Sequence, residues 1–263
     1  TIDEPVTVKD AEQSIEMPKI RGKVTFDHVT FAYDETKTIL KDVSFTVNPG
    51  ESVALVGPTG AGKSTIVNLI SRFYNVNDGK VLIDDQDIAD VTIHSLRAQM
   101  GIMMQDSFIF SGTIADNIRY GKLDATQEEI EKAGKIVCAD PFIREMPKGY
   151  ETQVRERGSM LSQGQKQLIS FARTLLCDPA ILILDEATSS IDVQTEKALQ
   201  TGLNRMLKGR TSFIIAHRLS TIRGCDKIMY IDDGGIAEAG THEELMKKKG
   251  RYYKLYTAQK SLH

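Results

Sequence analysis

An α/β fold with a mainly parallel sheet is predicted by three observations. The runs SVALVG (52–57), ILILDE (181–186) and TSFIIAH (211–217) are almost continuously apolar, as strands buried on both faces must be. Each is followed by a stretch with helical periodicity, the alternation that builds a parallel sheet. The glycine-rich string GPTGAGKS (57–64) lies between the first run and its helix, the strand–loop–helix setting of a phosphate-binding loop.

Along the chain, residues 1–22 are polar, carry Pro5 and Pro18 and lack periodicity, so a linker is expected there and a folded domain over 23–261. KVTFDHVTFAY (23–33) places Val24, Phe26 and then Val29, Phe31 and Tyr33 in alternation, as in strands with one buried face. KDVSFTV (41–47) repeats the pattern before a turn at Asn48-Pro49-Gly50. After the glycine-rich loop, Ile66, Val67, Ile70 and Phe73 share one side of a helix. Residues 106–180 are mostly helical in pattern and are expected to form a lobe inserted between the buried strands. KIMYIDDGGIAEAG (227–240) reads as a hairpin turning at Asp233-Gly234-Gly235, and Thr241-His242-Glu243-Glu244 as a capping box opening a last helix.

Composition narrows the partners. The chain has 263 residues, 41% hydrophobic and 26% charged, enough for a sizeable core without staples. With 33 basic and 36 acidic side chains its net charge of −3 gives no reason to expect nucleic acid. Cys138, Cys177 and Cys225 are odd in number and widely spaced, which suggests neither a disulfide framework nor zinc and fits a reducing compartment. No apolar run approaches the length of a membrane helix and the N-terminus is not a signal peptide, so any membrane role is expected to come through a partner or a further part of the polypeptide.

The chemistry concentrates in three places. In 57–64, glycines let backbone approach an anion and successive N–H groups at a helix start face it; Lys63 would reach the β/γ-phosphates and the Ser64 hydroxyl would ligate Mg²⁺. In ILILDE, Asp185 and Glu186 end a buried strand on opposite faces; Asp185 would hold Mg²⁺ through water and Glu186 would polarise an attacking water, where a lone strand-end carboxylate would read as a helix cap. LSQGQKQ (161–167) starts a helix through Leu168, Phe171, Ala172 and Leu175; Ser162 and Gly164 there are an anion site or simply a cap. His28, His94, His242 and His263 read as surface residues, Lys247-Lys248-Lys249 as a solvated helix face, and Met103 and Met104 as core filler.

Taken together, these strings resemble the nucleotide-binding domain of ATP-binding-cassette (ABC) transporters over about residues 23–260. GPTGAGKST resembles the Walker A loop, ILILDEATS the Walker B strand and LSQGQ the family signature, usually LSGGQ. Gln105 matches the Q-loop glutamine, Ser189-Ser190-Ile191-Asp192 the D-loop, His217 the switch histidine and Tyr33 the aromatic that stacks on adenine. The resemblance implies a P-loop NTPase (RecA-like) core, an N-terminal antiparallel β subdomain and an inserted α-helical signature lobe. It implies an ATPase with ATP and Mg²⁺ as ligands and a site shared by two domains arranged head to tail. One domain would supply Tyr33, Gly57, Pro58, Thr59, Gly60, Ala61, Gly62, Lys63, Ser64, Thr65, Gln105, Asp185, Glu186 and His217. The other would supply Ser162, Gln163, Gly164 and Gln165. Catalysis falls to Glu186, His217, Gln105 and Lys63, and Mg²⁺ to Ser64, Gln105 and Asp185.

DSFIFSGTIADNIRYG after Gln105 resembles the exporter segment that touches the coupling helices of a membrane domain. Glu156-Arg157-Gly158 resembles the exporter X-loop, and THEELMKKKGRYYKLY the usual exporter ending. The resemblance thus implies a bacterial multidrug-exporter-like half-transporter whose membrane domain is absent from this sequence, working at the cytoplasmic face of the inner membrane. An importer ATPase, a non-transport cassette and a regulatory module that binds ATP without hydrolysis are the rival readings. The importer lacks the FSGTIADNI character, the second needs an insertion or a tandem cassette, and the third usually loses the equivalents of Glu186 or His217. Gln163 stands where the signature has glycine, which favours a heterodimer over a homodimer.

Overall fold

The computed structural model describes residues 8–34, 36–103, 108–155, 158–185, 192–216 and 218–260. Gln105, Glu186, the D-loop residues Ser189, Ser190 and Ile191, the X-loop pair Glu156 and Arg157, Met104, His217 and His263 lie outside them.

In chain order the first half contains β1 (Val24–Ala32), β2 (Thr38–Val47), β3 (Ser52–Val56), α1 (Lys63–Ile70), β4 (Asp78–Ile83), β5 (Gln86–Asp87), α2 (Ile93–Arg97) and β6 (Met100–Met103). The helical lobe follows with β7 (Gly112–Thr113), α3 (Ile114–Arg119), α4 (Gln127–Ile136), α5 (Asp140–Glu145), β8 (Gln153–Val154) and α6 (Gln163–Leu176). Then come β9 (Ile181–Asp185), α7 (Val193–Leu207), β10 (Thr211–Ile215), α8 (Leu219–Gly224), β11 (Lys227–Asp232), β12 (Gly235–Gly240), α9 (His242–Lys248) and α10 (Arg251–Lys260).

The six-stranded sheet has the order β12-β11-β3-β10-β9-β6. Its strands are parallel except β12, which returns antiparallel from β11. An antiparallel sheet of order β2-β1-β4-β5 forms the N-terminal subdomain. The parallel strands are largely apolar because each feeds two cores. Val53, Leu55, Ile183 and Ile215 pack with α1 and the antiparallel sheet, whereas Ala54, Val56, Leu184 and Ile214 pack with the helical lobe. Burying one such side chain contributes roughly 1.5–3 kcal/mol, so both cores pin the central strands.

Several features differ from expectation, among them that α1 ends at Ile70, short of Phe73. Residues 8–22 lie against the domain as an extended strap, with Val8, Met17 and Ile20 buried. Side chains hold its backbone: Ser95 Oγ accepts from Met17 N–H at 2.7 Å, Gln99 Oε1 from Ile20 N–H at 2.9 Å, and the Asp84 carboxylate from Arg21, Gly22 and Lys23 N–H. The hairpin turn is two residues, since Asp232 pairs with Gly235; Asp233 and Gly234 both take positive φ, 47° and 77°, as a type I′ turn requires. His242 is half-buried, its Nδ1 2.7 Å from the Tyr252 hydroxyl.

Candidate functional site

The loop after β3 is shaped by three glycines. Gly57 leaves the strand at φ 136°, and a Cβ there would lie 2.1 Å from the carbonyl oxygen of Ile231 on β11. Gly60, at φ 80°, faces open space within 4 Å of its would-be Cβ. Gly62 precedes α1 with no side chain capping the helix, which leaves first-turn N–H groups to an anion and sets the positive end of the helix dipole behind it.

Lys63 Nζ donates to the carbonyls of Gly57 and Pro58, at 2.8 Å each, folding its ammonium over the loop. Burial pushes its pKa below the usual lysine value, and the nearby Asp185 carboxylate partly offsets that. Ser64 is exposed beside it. Asp185 ends β9 opposite Ile215 of β10, one strand removed from β3, so the sheet delivers it to the same end as the loop. Tyr33 stands 46% exposed at the rim, its hydroxyl 3.1 Å from Thr65 Oγ1.

These parts line one open cleft of about 350 Å³: Tyr33, Ile39, Thr59, Gly60, Gly62, Lys63, Ser64, Thr65, Asp185 and Ile215. Ile39 and Ile215 were not anticipated; a single apolar residue in a strand carries no signal for lining a site. Among the described residues, no cluster of three His, Cys, Asp or Glu side chains could hold a metal by itself. A hydroxyl, a carboxylate and substrate phosphates are the donor set that suits Mg²⁺.

The LSQGQ string begins α6. Ser162 is its N-cap: Ser162 Oγ accepts from Gln165 N–H at 3.2 Å, and Gln165 Oε1 accepts from Ser162 N–H at 3.0 Å. Accepting leaves the Ser162 O–H to donate. Gln163 is the first helical residue, in ordinary right-handed backbone, so glycine's conformational freedom is not required there. None of Ser162, Gln163, Gly164 and Gln165 lines the phosphate-loop cleft. Gln165 borders a different groove, with Phe142, Gln194 and Thr195. Asp192 caps α7, its carboxylate accepting from Thr195 N–H at 2.9 Å, which holds its pKa below the ordinary value.

Asn117, fully buried at the centre of α3, binds Phe110 N–H and carbonyl, while Arg173 of α6 reaches the carbonyls of Phe108 and Asn117. That clamp leaves Phe108, Phe110 and Tyr120 exposed in a ring cluster with centroids 4.5–4.8 Å apart.

Residues 40–189 match the family model described as ABC transporter. The chain belongs to the ABC transporter family. This ABC domain is 51% identical over 258 residues to YfiC of Bacillus subtilis, named as an uncharacterized ABC transporter ATP-binding protein; the match covers 98% of the chain and 43% of that protein. It is 47% identical over 257 residues to the fatty acid ABC transporter ATP-binding/permease protein of Mycobacterium bovis, over 98% of the chain and 40% of the relative. A solved bacterial Atm1-family ABC exporter with ATP bound is similar at a TM-score of 0.90 and 45% identity, over 98% of this chain and 45% of that one. The ABC domain thus spans about two fifths of the length of the curated relatives it matches. The family makes it an ATPase domain that binds ATP, and its fold is that of the exporter cassettes. Among the described residues no helix is long and apolar enough to cross a membrane.

Proposed function

We propose that this domain hydrolyses MgATP at an interface completed by a second nucleotide-binding domain, and that the closure powers export through an attached or associated membrane domain. One observation carries this reading: the cleft that gathers the phosphate loop, Tyr33 and Asp185 includes no signature residue, although α6 presents a capped N-terminus of its own. That separation supports a nucleotide held by one domain and covered by another.

In this reading the N–H groups of 57–65 and the Lys63 ammonium hold the phosphates and Tyr33 takes the base. Ser64, Asp185 and Gln105 would hold Mg²⁺, which would neutralise charge on the β- and γ-oxygens. Glu186 orients the attacking water, His217 keeps that carboxylate and the γ-phosphate in register, and Ser162, Gln163, Gly164 and Gln165 with the D-loop Asp192 face the partner's nucleotide. Phe108, Phe110 and Tyr120 offer the apolar surface for the coupling helices. The place of work is the cytoplasmic face of the inner membrane. Heterodimer pairing rests on the bulk of the Gln163 side chain, which would stand between the α6 N-terminus and a partner's phosphate.

The test is steady-state ATPase across protein concentrations, beside Glu186→Gln. Turnover should rise more steeply than linearly in the dilute range. Glu186→Gln should lower it by about 10²–10⁴-fold while ATP still binds. Full activity from a demonstrated monomer would overturn the shared site, and wild-type turnover in the variant would move the base elsewhere.

A further inference from the structure

The end of the phosphate-loop helix sends the chain back toward Tyr33. Arg72 takes left-handed backbone, φ 51°, just past α1. Arg72 N–H donates to Leu69 O at 3.0 Å and Phe73 N–H to Asn68 O at 2.9 Å, the paired bonds of a Schellman turn. A non-glycine residue there sets its Cβ against the following carbonyl oxygen, at a steric cost. The buried Arg72 guanidinium offsets it by donating to Val91 O and Lys9 O beside Asp10. The reversal sets Tyr74 against Tyr33, ring centroids 4.9 Å apart at 84°, and Phe31 meets Tyr33 edge-on at 4.9 Å and 86°. From α1, Asn68 Nδ2 approaches the Tyr33 hydroxyl at 3.5 Å, beside the bond to Thr65.

A ring on an exposed rim has several rotamers of similar energy. Two edge contacts and a hydroxyl anchored at Thr65 leave Tyr33 one orientation, fixed to the helix that begins with Lys63 and Ser64. We propose that Tyr74 is a positioning residue for the base subsite: it holds the Tyr33 ring ready for a purine face, tying base recognition to the C-terminal end of the phosphate helix. The inference rests on Tyr33 as the base-stacking residue.

The experiment titrates the full chain with ATP and with inorganic triphosphate, by calorimetry with Mg²⁺ present. The variants are Tyr33→Leu, Tyr74→Leu, the double variant and Tyr74→Phe. Edge-to-face pairs imply that Tyr74→Leu weakens ATP by about two- to ten-fold and leaves triphosphate unchanged. Tyr74→Phe, which keeps the ring, binds as wild type. In the Tyr33→Leu background, Tyr74→Leu removes nothing further. Equal weakening of ATP and triphosphate would show a purely structural role through α1, and additive losses would show that Tyr74 does not act through Tyr33; either overturns the proposal. Unchanged ATP binding in Tyr33→Leu would instead overturn the base-stacking reading itself, and the positioning role with it. Should Tyr74→Leu not fold, Tyr74→Met at the same 38%-exposed position supplies the measurement, with the same outcomes.

Discussion

Two glycines of one loop should respond to the same substitution in opposite ways. At Gly57 an added methyl would sit 2.1 Å from a backbone carbonyl of β11, which cannot swing aside, and φ is 136°. Left-handed backbone costs about 1–2 kcal/mol and overpacking about 1–3 kcal/mol more, so Gly57→Ala should lose about 2–5 kcal/mol. At roughly 2–4 °C per kcal/mol, its melting temperature falls by roughly 4–20 °C. Gly60 has φ 80° but nothing within 4 Å, so Gly60→Ala carries only the backbone share. Its methyl instead occupies the cleft where phosphate must meet N–H groups. Losing one charge-assisted hydrogen bond weakens triphosphate binding by about ten- to hundred-fold. Thermal melts without nucleotide and calorimetric titration with inorganic triphosphate separate the two. A Gly57→Ala protein as stable as wild type, or a Gly60→Ala protein binding triphosphate normally, would refute this account of the loop.

Three further outcomes are expected. Triphosphate affinity should decline at alkaline pH with a midpoint below 10.5, because burial lowers the Lys63 pKa and binding needs its proton; Lys63→Met should bind about ten- to hundred-fold more weakly, and a midpoint at the ordinary lysine value would contradict the burial argument. His242 has its pKa lowered by burial and then by Arg223, with Glu243 opposing, so below about pH 6.5 the unfolded chain takes up the proton first and stability falls as pH falls. Melting curves of wild type and His242→Asn should diverge from about pH 7 down to about pH 5, and parallel curves would exclude this contribution. Gln163→Gly should raise the ATPase of the self-associated chain by up to about 100-fold if its side chain keeps a second copy from completing the site. An unchanged rate in a preparation that dimerises with ATP would favour the homodimer.

Patterns that repeat were legible in the sequence. β3, β9 and β10 announced themselves because both their faces are buried, and the phosphate loop because anion binding dictates glycine, lysine and hydroxyl at fixed spacing. The capping box at Thr241 and the cap at Ser162 followed from local chemistry. The strap was not legible, since its anchors Ser95, Gln99 and Asp84 are ordinary polar residues 60 and more positions away. β4 and β6 were not legible because each is short and carries a glycine, Gly79 and Gly101, in place of a clear apolar run or alternation. The role of Gln163 was legible only as a departure from a resembled motif, and its helical backbone shifts the question from conformation to bulk.

The alternation along β3 has a consequence for how the domain melts. Val53 and Leu55 belong to one core and Ala54 and Val56 to the other, with Ile183 and Leu184, and Ile214 and Ile215, repeating the division on neighbouring strands. The sheet is a party wall: neither lobe can loosen without stripping one face of strands that the other lobe still needs. Its cores are therefore one cooperative unit, and the loop hanging from the end of β3 stays formed for as long as both hold.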